Sequence, residues 1–314
     1  VTEVLPFLSY AVFFLTFGAF FAIVVLGLNL QWGFTGLFNV GVAGFVAVGA
    51  YASAILTAPP YAESLGGFGL PVAVGWIGAM LASGLVALVV GVPTLRLRHD
   101  YLAITTFGVA VTLQLIALNA RWLTGGPFGL QFIPRPMQGW LGTGPMWNAA
   151  YLAVALTTLG LAYIAVERLV HGPWGRVLKA IREDEQAAEA LGKRPARFRL
   201  EAFVLGSMLM GLGGAVYAHF VGYIAPEDFL PILTFQVWTM LIVGGAGNNR
   251  GAILGAFVIW LIWSLSGGLI RGLLPQAEQA RGAALQIVLI GILLVVMLVL
   301  RPRGLIGEEI GRRR

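Results

Sequence analysis

The sequence predicts an all-α, polytopic transmembrane helix bundle of about nine spans, with roughly eight to ten as the range. Three observations carry this prediction. Of the 314 residues, 58% are hydrophobic and only 11% are charged, whereas a soluble globular chain is roughly 45–50% apolar and about 25% charged. Between Val4 and Leu95 the only charged residue is Glu63, so this stretch cannot cover a water-facing surface and lipid must cover most of it. The hydrophobic runs, divided at turn-forming and charged clusters, come close to the roughly 17–25 residues that one crossing needs.

In order, the candidate spans are 5–28, 34–57, 71–93, 101–120, 149–168, 200–222, 232–246, 252–270 and 283–300. The second contains Gly33, Gly36, Gly41, Gly44 and Gly49 close together, which makes it a candidate for a broken helix. The connection 58–70 separates it from the third span, and Arg96 and Arg98 separate the third from the fourth. The connection 121–148 leads to the fifth, and a long charged segment, 171–199, joins the fifth to the sixth. After the connection 223–231, the seventh span is short for a crossing and is the other candidate for a broken or re-entrant helix. Such backbone is tolerated at membrane depth only where protein or a water-filled cavity buries it. Gly244 to Gly251 form a turn before the eighth span, and 271–282 precedes the ninth. Small residues four apart, Ser207, Gly211 and Ala215, then Gly251 and Gly255, would let helices approach closely.

Lys and Arg orient the bundle, because cytoplasmic loops carry an excess of both. With the basic C-terminus inside, sixteen of the twenty fall on that side, and only Arg121, Arg135, Arg271 and Arg281 fall outside. Nine spans then leave the N-terminus outside, and ten would bring it inside. The net charge of +6 therefore follows topology and does not point to nucleic acid. Trp122, Trp140 and Trp147 lie in an outer connection, where Trp suits the membrane interface. The chain has no cysteine, so a disulfide framework and a Cys-based metal site are excluded. No basic region precedes the first apolar run, so no secretory signal peptide is read there.

The segment His171 to Arg199 is unlike its surroundings. From Trp174 to Leu191 it reads as one short amphipathic helix, with Val177, Ile181, Ala188 and Leu191 on an apolar stripe and Lys179, Arg182, Asp184, Glu185 and Glu189 elsewhere. Gly192 suits its C-terminus, with Pro195 shortly after. The string from Ala180 to Gly192 resembles the coupling segment of ATP-driven importer permeases, the EAA loop. In that motif Glu-Ala-Ala is followed by three residues and Gly. Ala187, Ala188 and Gly192 fit the spacing, Gln186 stands at the Glu position, and the Leu-Pro that often follows is absent.

The resemblance is wider than this loop. Gly27 to Gly41, Arg96 to Ile104, Leu123 to Leu130 and Val243 to Gly247 are similar to the LivM-type branched-chain amino acid permeases, in the order of that family. It implies one permease domain over 1–314 in a bacterial inner membrane, with 171–199 as its cytoplasmic coupling loop. It also implies a second, LivH-like permease, two ATPase subunits and a periplasmic binding protein as partners. On this reading Arg182, Glu183, Glu185, Ala187, Ala188 and Gly192 meet the ATPase. The chain itself is not an enzyme and holds no cofactor or metal. Relatives handling urea or short amides leave the solute open, and an ion-gradient-driven transporter is the alternative from a different class.

Polar residues inside spans are costly and face protein or a cavity. Asn29, Gln31, Asn39 and Gln236 are the first candidates for the translocation pathway, because they lie in or beside the Gly-rich or short spans; Gln114, Asn119 and Gln286 follow. The Gly244 to Gly251 stretch lacks the Gly-Lys-Ser/Thr ending of a P-loop and reads as a tight turn. His99, His171 and His219 are too far apart for a local metal motif and are expected in loops or at the interface. Asp100 beside Arg96 and Arg98 is a candidate surface ion pair.

Overall fold

A computed structural model describes residues 4–60, 66–95, 99–273, 275, 279–301 and 303–307. Among them every regular element is helical. The apolar helices are α1 (Val4–Leu28), α2 (Val42–Thr57), α3 (Val72–Thr94) and α4 (His99–Asn119), then, after two one-turn helices, α5 (Arg121–Thr124) and α6 (Gln138–Leu141), α7 (Pro145–His171). The charged segment forms α8 (Pro173–Glu183) and α9 (Glu185–Ala190), and the chain re-enters the bundle as α10 (Pro195–Val221), α11 (Pro231–Gly244), α12 (Asn249–Leu273) and α13 (Gln279–Leu300). Among the described residues six helices are long and apolar enough to cross a membrane, and α2, α11 and α13 contribute shorter apolar stretches. The ion pair expected around Arg96, Arg98 and Asp100 lies outside the residues described.

The helix starts follow local chemistry. Pro145, Pro173, Pro195 and Pro231 each open a helix, where the missing N–H costs nothing and the fixed φ is already helical. Residues 245–248 form the expected tight turn, and Asn248 accepts from the N–H groups of Arg250 and Gly251 at 2.9 and 3.1 Å, capping the start of α12.

Helix α10 is the centre of the bundle, enclosed by α1, α2 and α3. Small residues make this possible. A Cβ on Gly49 would lie 2.2 Å from the carbonyl oxygen of Gly211, and one on Gly211 would lie 2.2 Å from Ser83 Oγ. Gly255 is equally close to the Met240 carbonyl, at 2.0 Å. On α3 the small residues Gly75, Ala79, Ser83, Ala87 and Gly91 recur every fourth position and are buried, while Val74, Ile77, Leu81, Leu85 and Val92 are exposed. Large apolar side chains outward and small ones inward is the arrangement of a helix packed in lipid, where close backbone approach drives association.

Three parts of the sequence reading change. The predicted second span begins late: α1 continues as a π-turn over Asn29–Gly33, residues 34–41 are not helical, and α2 starts only at Val42. His219, expected in a loop or at the interface, is fully buried, with Nε2 2.8 Å from Ser53 Oγ and Nδ1 2.7 Å from the Pro134 carbonyl. Trp122 and Trp140 are exposed as expected, but Trp147 is buried against Phe220 and donates to the Pro136 carbonyl at 2.7 Å. The burial of Trp147 follows from extra helical length, since α7 starts four residues before the predicted 149, and that of His219 from the Ser53 and Pro134 groups that pair with both of its ring nitrogens.

Candidate functional site

The charged end of the bundle holds α8 and α9. The expected single helix is two helices, because Asp184 takes an extended conformation (φ −152°, ψ 104°) and caps α9, its Oδ1 accepting from Ala187 N at 3.0 Å. Helix α8 buries Gly175, Leu178 and Ile181; Leu178 takes the place in the stripe that the sequence reading gave to Leu191, which is 80% exposed. Gly192 ends α9 with φ +75°. There Gly192 N bonds to Glu189 O at 2.8 Å and Lys193 N to Ala188 O at 3.1 Å, the paired bonds of a Schellman turn, which requires a left-handed residue at this position.

The predicted coupling residues divide between two faces. Glu183, Ala187 and Gly192 are exposed, with Gln186 and Glu189 beside them. Ala188 is buried, and Arg182 and Glu185 are turned toward the bundle. Glu185 accepts from Arg199 Nη1 at 2.8 Å, across to the start of α10. Trp174 Nε1 donates to Glu201 Oε2 at 2.8 Å, and Arg197 Nε holds the other oxygen of the same carboxylate at 2.8 Å. Arg182 Nη1 donates to the carbonyl of Gly33, the last residue of the π-turn. A cation at this carbonyl end also complements the helix dipole. Lys179 Nζ lies 5.5 Å from the centre of the Phe34 ring, so α8 grips the turn and the residue after it.

The predicted pathway residues Asn29, Gln31 and Asn39 meet in the layer beneath. Asn29 Nδ2 donates to Asn249 Oδ1 at 2.9 Å, and Asn29 Oδ1 accepts from Gly247 N at 2.8 Å. Asn249 in turn donates to Glu167 Oε2 at 2.7 Å. Gln31 Nε2 donates to Phe203 O at 2.8 Å and Ser207 Oγ at 3.1 Å, while its Oε1 accepts from Asn39 Nδ2 at 2.8 Å. Asn39 Oδ1 accepts from Gly41 N at 2.7 Å, and the Asn39 carbonyl accepts from Trp238 Nε1 at 2.9 Å. All three side chains have no exposed surface, and an amide buried without such partners would cost roughly 2–7 kcal/mol. Their polar atoms are thus occupied by protein in this conformation. Gln236 stands apart, half-buried on α11.

The non-helical residues 34–41 are satisfied by side chains from neighbouring helices. Val40 N donates to Thr106 Oγ1, and in the first turn of α2 Ala43 N donates to Thr234 Oγ1, both at 3.0 Å. Thr106, Thr234, Ser207, Asn249 and Glu167 were not singled out from the sequence for this joint, since each is an ordinary residue of its own helix. Beside the joint, Trp32, Phe38 and Trp238 form an aromatic trio with ring centres 4.7 to 5.3 Å apart. They wall an apolar cavity of about 390 Å³ against α11 and α13. A second, polar cleft of about 400 Å³ opens between α7, α8 and the 247–250 turn.

The family described as the permease component of branched-chain amino acid transport systems matches residues 10–298. The chain belongs to this family. The permease is 32% identical over 308 residues to the high-affinity branched-chain amino acid transport system permease protein LivM of Escherichia coli (strain K12), covering 91% of this chain and 67% of that protein. It is 29% identical to the probable LivM permease of Methanocaldococcus jannaschii, covering 94% and 92% of the two chains. To the LivH permease of Salmonella typhimurium it is 22% identical, covering 93% of each. No solved structure matches the permease.

Proposed function

We propose that this permease is one half of the transmembrane channel of an importer in a bacterial inner membrane, moving branched-chain amino acids that a periplasmic binding protein delivers. The whole chain acts as one permease domain with nine spans, the N-terminus outside and α8–α9 in the cytoplasm. A second, LivH-like permease completes the channel, and two ATPases supply the energy.

The observation that carries the mechanism is the two-sided character of α8–α9. Its outer side presents Glu183, Gln186, Ala187, Glu189 and Gly192 to solvent, a face of small and charged side chains suited to a groove on an ATPase. Its inner side is fastened to α10 through Glu185–Arg199 and to the π-turn through Arg182. A push on the outer side is therefore delivered to the broken end of α1, and alternating access follows as a rigid-body shift of the helices hung on it.

The test is ATP-dependent uptake of labelled leucine in proteoliposomes holding the permease, its LivH-like partner, the ATPases and the binding protein. With Ala187→Trp, which places bulk on the outer face, uptake is lost while the subunits still copurify. Uptake by the permease alone under an ion gradient would overturn the reading, and ATP-dependent uptake of urea with none of leucine would replace the solute. Gly192→Glu is a poorer probe, because the left-handed backbone there strains any side chain even though the space around it is open.

A further inference from the structure

The apolar cavity beside the joint has a chemistry of its own. Trp32 and Phe38 line it together with Trp238 and Ile242 of α11 and Leu294 and Leu298 of α13. Its volume of about 390 Å³ falls in the roughly 300–1,000 Å³ range of small-molecule sites, which are mostly apolar and largely preformed. The space is not enclosed, since Phe235 and Leu298 in its lining are exposed, so a small solute can enter it.

We propose that this cavity is the subsite for the branched aliphatic side chain of the amino acid in transit, a proposal that rests on the transport reading above. Its position supports this. The cavity borders Val40, in the non-helical stretch, and transporter sites form at discontinuous helices where unwound backbone lines the route. Its walls are also tied to the coupling segment. Trp32 sits on the π-turn, one residue before the Gly33 carbonyl that Arg182 holds. Trp238 is held through its indole N–H to Asn39, whose amide bonds to Gln31 on the same turn. A shift of α8 that moves the π-turn thus moves two of the three aromatic walls, so the affinity of the cavity changes with the state of the ATPases. A lipid chain would need no such linkage.

Two variants in the complete importer test the proposal. Ile242→Phe narrows the cavity; with the binding protein unchanged, the ratio of leucine to valine uptake falls about ten-fold, the lower end for one methylene in an apolar pocket. An equal loss for both solutes, or an unchanged ratio, overturns the subsite. Ala246→Cys places the sole thiol of this cysteine-free chain at the wall. In nanodiscs, leucine-loaded binding protein with ATP slows its modification by a neutral thiol reagent several-fold. Modification that ignores leucine, or that is blocked whenever the second permease is present, overturns it. If the native importer moves no leucine at all, the transport reading itself fails, an outcome distinct from native uptake with neither effect in the variants.

Discussion

Asn29 has no exposed surface, and both ends of its amide are engaged, by Asn249 and by the Gly247 N–H. Truncating it leaves a buried donor and a buried acceptor unpaired, each costing about 1–3 kcal/mol. Asn29→Ala should therefore lower the unfolding temperature of the detergent-purified chain by several degrees. Asn119→Ala, which removes only a bond to the carbonyl four residues earlier on an exposed site, should hardly change it. The sequence marks Asn29, Gln31 and Asn39 as polar side chains in an apolar run, and that much is local chemistry. Their partners are not legible there, because Asn249 is 220 residues away from Asn29 and Phe203 is 172 from Gln31. The reading of these residues as lining a route rests on their burial cost and on their place in or beside Gly-rich spans, whereas geometry shows that protein groups absorb the cost in this conformation.

At the scale of elements, the π-turn and α8 act as one joint. Widening a helix by one residue per turn is unfavourable and occurs mostly as single turns at functional positions; here it directs the Gly33 carbonyl toward Arg182. Arg182→Ala should leave the importer assembled and hydrolysing ATP while leucine uptake falls at least about ten-fold, with Arg182→Lys recovering part of it, since a hydrogen bond from a charged donor contributes roughly 1.5–3 kcal/mol. Uptake that follows hydrolysis in both variants would show that force does not pass through this contact. The helical character of the charged segment and its Gly192 terminus could be read from the sequence, because periodicity and a left-handed stop are local signals. The break at Asp184 was missed because the apolar spacing continues across it. Only the capping bond to Ala187 N reveals that the chain restarts there, with Asp184 serving as a helix N-cap, a position it favours over a helix interior.

For the whole molecule, orientation is the prediction that the charge distribution makes. Because the chain has no cysteine, Thr143→Cys and Leu191→Cys each give a single thiol at an exposed position on opposite ends of the bundle. A membrane-impermeant thiol reagent should modify Thr143→Cys from the outer face, and Leu191→Cys only after the inner face is opened to it. The reverse pattern would invert the assigned topology. Composition and charge placement by themselves determined that this chain is a helical membrane protein, roughly where its spans fall and which end is basic, because lipid accepts only apolar segments and Lys and Arg mark the cytoplasmic side. Only the tertiary structure decided which polar groups meet, which face of α8–α9 is free and where the apolar cavity lies. Those depend on pairings between helices far apart in the chain, and in a sequence with 43 glycines the small residues that permit close approach do not say which helix comes close.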